Sequence, residues 1–159
     1  MSLDQATAIQ RAGIIRPGSI NYNYNIIILP TEYYGLAELN FYIDNLNFTN
    51  LKIDFTGKLI EEVVLNSRRF MPTTTENFML LPKTYLQKGR NKLSVMYINS
   101  YNNDSYGCIS FYDNDQQFVY TNFEPYGAHR VFPCFDQPDL KAKMKISIVT
   151  PQWWNVVSN

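Results

Sequence analysis

From Tyr22 to Ile28 the side chains of Tyr22, Tyr24, Ile26 and Ile28 alternate with Asn21, Asn23, Asn25 and Ile27. Successive side chains of a strand point to opposite faces, so this period of two predicts a strand with a mostly polar outer face. The pattern returns after a turn placed at Pro30 to Gly35: Leu39, Phe41 and Ile43 alternate with Asn40, Tyr42 and Asp44, and Leu51, Ile53 and Phe55 repeat it. Further short strands are predicted at 62–65, 78–81, 93–98, 108–112 and 118–123, separated by loops rich in Asn, Asp, Pro and Gly. Near the end Ala142, Met144, Ile146 and Ile148 alternate with Lys141, Lys143, Lys145 and Ser147, which predicts one face on the core and a lysine-lined face toward solvent. Before the first strand, Ser2 and Gln5 have capping-box spacing, and a short helix is predicted over residues 4–13, stopped by Gly13 and tucked against the sheet.

About nine or ten short strands with frequent turns indicate an all-β fold of packed antiparallel sheets, whose choice between sandwich and barrel this pattern leaves open. Composition supports strands over helices, with 12 Tyr and 10 Phe among 159 residues. One domain of this length buries about 70% of its unfolded surface, enough for a core of its own. Lys plus Arg and Asp plus Glu are both 14, so there is no electrostatic footprint for nucleic acid or an anionic membrane. No run approaches the roughly 20 apolar residues of a membrane span. The first residues lack a secretory leader's apolar stretch, so an intracellular, cytoplasmic chain is predicted, without ruling out an organelle. Cys108 and Cys134 are the only cysteines and read as buried thiols.

The run Tyr120 to Pro138, YTNFEPYGAHRVFPCFDQP, resembles the signature of the N-terminal domain of M1 zinc aminopeptidases, in the wording of the bacterial aminopeptidase N type. That family carries a strand reading roughly Y-T-Q-F-E, a loop, then R-x-F-x-C-F-D-x-P-D-L-K-A. Thr121, Phe123, Glu124, Arg130, Phe132, Cys134, Phe135, Asp136, Pro138, Asp139, Leu140, Lys141 and Ala142 stand in the matching places. Weaker similarity covers nearly the whole chain. The resemblance implies a saddle-like β-sandwich of curved antiparallel and mixed sheets, forming one domain over residues 1–159 that is incomplete on its C-terminal side. It also implies one edge packed against a catalytic domain.

In such enzymes zinc is held by H-E-x-x-H and a downstream glutamate, because two His at i and i+4 share one helical face and the intervening Glu activates the metal-bound water. This sequence has one histidine, His129, and no G-x-M-E-N motif. Zinc is therefore expected only in a catalytic domain outside these residues, and the chain by itself is expected not to hydrolyse peptides. The resemblance makes Glu124 the acid that holds a substrate's free α-amino group through a charge-assisted hydrogen bond. Asn122 stands where the family usually has Gln and is one methylene shorter, and His129 stands where the family often has Arg. The competing reading of Glu124 is a strand-end carboxylate paired with a base such as Arg130.

Phe132, Pro133, Cys134 and Phe135 read as core. Asp136, near the Pro138 turn, reads as a loop-fixing acceptor that Arg130 could pair. Trp153 and Trp154 are candidates for a domain or partner interface. Two functions follow. The chain is either the non-catalytic N-terminal portion of an M1-type metalloaminopeptidase that contributes substrate N-terminus binding, or a peptidase-derived structural subunit without aminopeptidase activity. Its partner is accordingly the catalytic domain or another protein covering the open sheet edge.

Overall fold

The computed structural model describes residues 3–158; Ser2, half of the expected capping box, falls outside them. The helix α1 runs Gln5–Ile14. Its N-cap is Asp4, whose Oδ1 accepts from Thr7 N at 2.8 Å, satisfying one of the donors that a helix start leaves unpaired. Gly13 does not stop it. The helix ends where Ile15 bridges Ile43, so that Asp44 N donates to Ile14 O and Arg16 N to Tyr42 O. Capture by a neighbouring strand, rather than the glycine, sets the boundary.

Eleven strands follow among the described residues: β1 Ile20–Ile28, β2 Glu32–Ile43, β3 Asn50–Asp54, β4 Leu59–Leu65, β5 Arg68–Phe70, β6 Thr73–Thr74, β7 Phe78–Pro82, β8 Gly89–Ser100, β9 Gly107–Asp113, β10 Gln116–Asn122 and β11 Ala142–Val149. They form a six-stranded sheet in the order β11-β1-β2-β8-β4-β5, a three-stranded sheet β3-β7-β6 and the hairpin β9-β10. All neighbours are antiparallel except β11, which runs parallel to β1 and makes the large sheet mixed. The inner faces of the large and small sheets share one core, with Leu39, Phe41, Val63, Leu93 and Val95 on one side and Leu51, Ile53, Met79 and Leu81 on the other.

Two expectations change. The first turn is confined to Pro30 and Thr31, and β2 already begins at Glu32, because Tyr33 and Gly35 belong to the inward-facing row. At Gly35 a β-carbon would fall inside the Tyr97 ring, so the small residue lets the ring cross the backbone. The second change concerns β11. Its lysines face solvent as expected, but its apolar face is only partly covered: Met144 is 54% exposed and Ile146 and Ile148 are half-buried. The strand lies at the edge of the six-stranded sheet, paired only with β1. Its apolar side chains instead border a groove of about 520 Å³ shared with Ile26, Ile28, Val119, Phe132 and Trp154.

Candidate functional site around the Glu124 loop

The segment 130–135 crosses the interior without belonging to a sheet, and Val131, Phe132, Pro133, Cys134 and Phe135 are all buried. Irregular backbone in a core must find hydrogen-bond partners, since an unpaired buried amide or carbonyl is costly. The inward tyrosines supply them. Tyr24 donates to Pro133 O at 2.9 Å, Phe135 N donates to Tyr22 Oη at 2.9 Å, and Tyr33 donates to Val131 O at 3.3 Å. Burial raises all three phenols above their ordinary value, so they remain neutral donors. Asn99 donates to Arg130 O at 2.9 Å, and Cys134 exchanges both backbone bonds with Asp54.

Glu124 follows the end of β10 on a turn, and the Glu124–Pro125 peptide is cis. Its carboxylate is exposed and makes no hydrogen bond or ion pair among the described residues. The chain on either side is held. Asn122 Nδ2 donates to Ser105 O at 2.8 Å, and Tyr126 Oη donates to Asp54 Oδ1 at 2.8 Å. Asn122 thus directs its amide into the protein's own loop.

Arg130 pairs with neither Glu124 nor Asp136. Its Nη1 donates to both oxygens of Asp104, at 3.0 and 2.9 Å, and this bond holds the Asp104 carboxyl below the usual range. Asp136 instead accepts from His129 N at 3.1 Å, with His129 Nδ1 at 2.9 Å from the same oxygen. A carboxylate only accepts, so the imidazole hydrogen sits on Nδ1. His129 is buried against the Tyr126 ring, centroids 4.2 Å apart, which makes it a loop strut. Asp104, Tyr126, His129 and Arg130 line a cleft of about 470 Å³ together with Thr56, Glu76, Asn77, Tyr106 and Pro125.

Burial raises the Cys134 thiol well above its ordinary value, with the charges of Asp136 and Asp54 adding to the effect, and pushes Cys108 up to about 12. Neither is a nucleophile near neutrality. The described residues contain no group of three or more His, Cys, Asp or Glu side chains placed to hold a metal ion. The residues present therefore do not fit a zinc site. Trp153 is 82% exposed, while Trp154 is half-buried and borders the apolar groove beside β11.

A pair missed by sequence reasoning organises the loop: Arg11 of α1 and Asp54 of β3, both fully buried. The available signal was the spacing of Thr7, Arg11 and Ile14, which share one helical face and are all buried.

The fold is a β-rich domain whose exposed acid stands on a loop anchored from the core. Residues 37–159 match the family described as Peptidase M1 N-terminal domain, and the chain belongs to that family. It is 36% identical over 109 residues to aminopeptidase N of Streptomyces lividans, covering 67% of this chain and 13% of that protein. It is 28% identical over 150 residues to a probable M1 family aminopeptidase 2 of Encephalitozoon cuniculi, covering 87% of this chain and 17% of the relative. The chain thus spans less than a fifth of either relative's length. The fold is similar to the crystal structure of an M1 zinc metallopeptidase from Deinococcus radiodurans, with TM-score 0.68 and 16% identity over 87% of this chain and 34% of that one. It is also similar to native yeast LTA4 hydrolase, with TM-score 0.70 and 14% identity over 84% of this chain and 23% of that one.

Proposed function

We propose that this chain acts as the non-catalytic N-terminal domain of an M1-type metalloaminopeptidase and that Glu124 receives the free α-amino group of a peptide substrate when a zinc-bearing domain is joined to it. The observation that carries this reading is an exposed carboxylate with no partner of its own, on a loop held on both sides by Asn122 and Tyr126. The competing pairing with Arg130 is not made, because Arg130 pairs with Asp104 instead. An ammonium group supplies the missing donors. The catalytic domain is the partner this reading requires, and zinc belongs to that domain.

The test is Glu124→Gln in the full-length polypeptide, assayed with aminoacyl and N-acylated peptide substrates. Loss of a charge-assisted hydrogen bond raises KM for free-amino substrates by about tenfold to a hundredfold. An unchanged KM rejects the role.

The groove beside β11, with exposed Met144 and half-buried Trp154, supports a second reading in which this face docks on another protein and the chain is a peptidase-derived interaction subunit. The coding sequence separates the two. An in-frame H-E-x-x-H downstream favours the enzyme, and its absence favours the subunit.

A further inference from the structure

We infer that α1 is a clasp that positions the Glu124 loop, with Arg11 as the positioning residue acting through Asp54. The inference rests on the role of Glu124 proposed above. Arg11 and Asp54 are both 0% exposed and pair in bidentate fashion, Nη1 to Oδ2 at 2.6 Å and Nη2 to Oδ1 at 2.9 Å. The same carboxylate accepts Tyr126 Oη on Oδ1 at 2.8 Å and Asp136 N on Oδ2 at 2.8 Å. Two carboxylate oxygens offer about four acceptor sites, and all are used. Asp54 therefore joins the helix to two points of the loop, one of them two residues beyond Glu124.

Other contacts run from the same helix to the same segment. Gln137 Nε2 donates to Ala8 O at 3.0 Å, and the Arg11 guanidinium lies 5.8 Å from the centroid of Phe135. Asp136, held by Asp54 through its backbone, in turn braces His129, so the turn between Tyr126 and Asp136 is tied from inside as well. The helix, Gln5–Ile14, precedes the span 37–159 that matches the family, yet it holds the signature of that span.

Stability alone does not account for a buried ion pair here. An apolar pair of similar volume is generally as stabilising or more so, because it avoids desolvating two charges. What an apolar pair lacks is directed acceptors. Asp54 accepts the Tyr126 hydroxyl and the Asp136 amide on the same two oxygens that Arg11 grips in bidentate fashion, so the guanidinium fixes where both acceptors point.

The experiment compares Arg11→Met, the double variant Arg11→Met with Asp54→Leu, and Tyr126→Phe in the full-length polypeptide. Thermal midpoint, amide hydrogen exchange over residues 123–137 and peptide kinetics are measured for each. The clasp predicts that the double variant regains the thermal midpoint lost by Arg11→Met, while exchange across 123–137 stays about tenfold faster than in the parent. Tyr126→Phe gives the same local acceleration with β1 and β2 unchanged, and in both variants KM rises while kcat is retained. Parental exchange in 123–137 in a fully stable double variant overturns the inference. Should both Arg11 variants fail to fold, unchanged loop exchange in Tyr126→Phe overturns it alone. Faster exchange with unchanged KM upholds the clasp and counts against Glu124 as the amine anchor, so the two failures are distinguishable.

Discussion

Tyr24 illustrates how a single residue serves two layers of the structure. Its ring stacks on Phe132 with centroids 4.2 Å apart, and its hydroxyl caps Pro133 O. A phenylalanine would keep the stacking and lose the cap. Tyr24→Phe is expected to cost about 1–3 kcal/mol, the penalty for a buried carbonyl left without a partner. Denaturant unfolding of the two proteins measures it, and equal midpoints would show that the hydroxyl contributes nothing. That Tyr24 faces inward was legible from its place in the alternation. Why the position holds tyrosine rather than phenylalanine was not, because the partner lies 109 residues away. Arg11 and Asp54 have the same character. Their charges suggest exposure, and only the meeting of α1 with β3 and the signature segment buries them as a pair.

At the scale of elements, Glu38 of β2 links three neighbouring strands on the outer face, accepting from Asn23 of β1 at 3.1 Å and pairing with Lys92 of β8 at 2.6 Å. The Lys92 bond first and the Asn23 bond second hold the Glu38 carboxyl below its ordinary value. A depressed folded value means that the stabilisation is fully present above the unfolded carboxyl's pKa of about 4.3 and is lost as pH falls through the folded value. Asp4 at the cap of α1, lowered chiefly by the Thr7 backbone N–H, acts with the same sign. Thermal midpoints should therefore fall as the solution is acidified below about pH 4, and less steeply in Glu38→Gln. Identical slopes for the two proteins would remove Glu38 from the explanation. Nine of the eleven strands were readable from the sequence, including the outer row of Asn and Lys, whereas β5 and β6, of three and two residues, are too short to show a pattern. The parallel pairing of β1 with β11 was not, since strands 122 residues apart by their registered partners Ile20 and Ala142 give no local sign of adjacency.

For the molecule as a whole, the uncovered surface is the informative part. Met144, Val149, Trp153 and Val157 are each more than half exposed, and β11 leaves one edge of the six-stranded sheet open. Open edges and contiguous apolar surface promote association, although Lys143 and Lys145 on β11 temper it. The 159-residue chain by itself is expected to self-associate as its concentration rises, to bind no stoichiometric zinc and to release no amino acid from aminoacyl substrates. Sedimentation, metal analysis and a fluorogenic assay check these together. A monomer that unfolds in two states at high concentration, or turnover sensitive to chelators, would contradict them.

The all-β class, the inward and outward rows of most strands and the family are legible in the order of residues, because alternation and a contiguous signature are local properties of the chain. That Arg130 pairs with Asp104, that His129 braces Asp136, and that Arg11 reaches Asp54 and through it Tyr126 emerges from the folded arrangement alone. Charged side chains choose partners by burial and proximity. Both are set by which elements come together, and no local pattern encodes that.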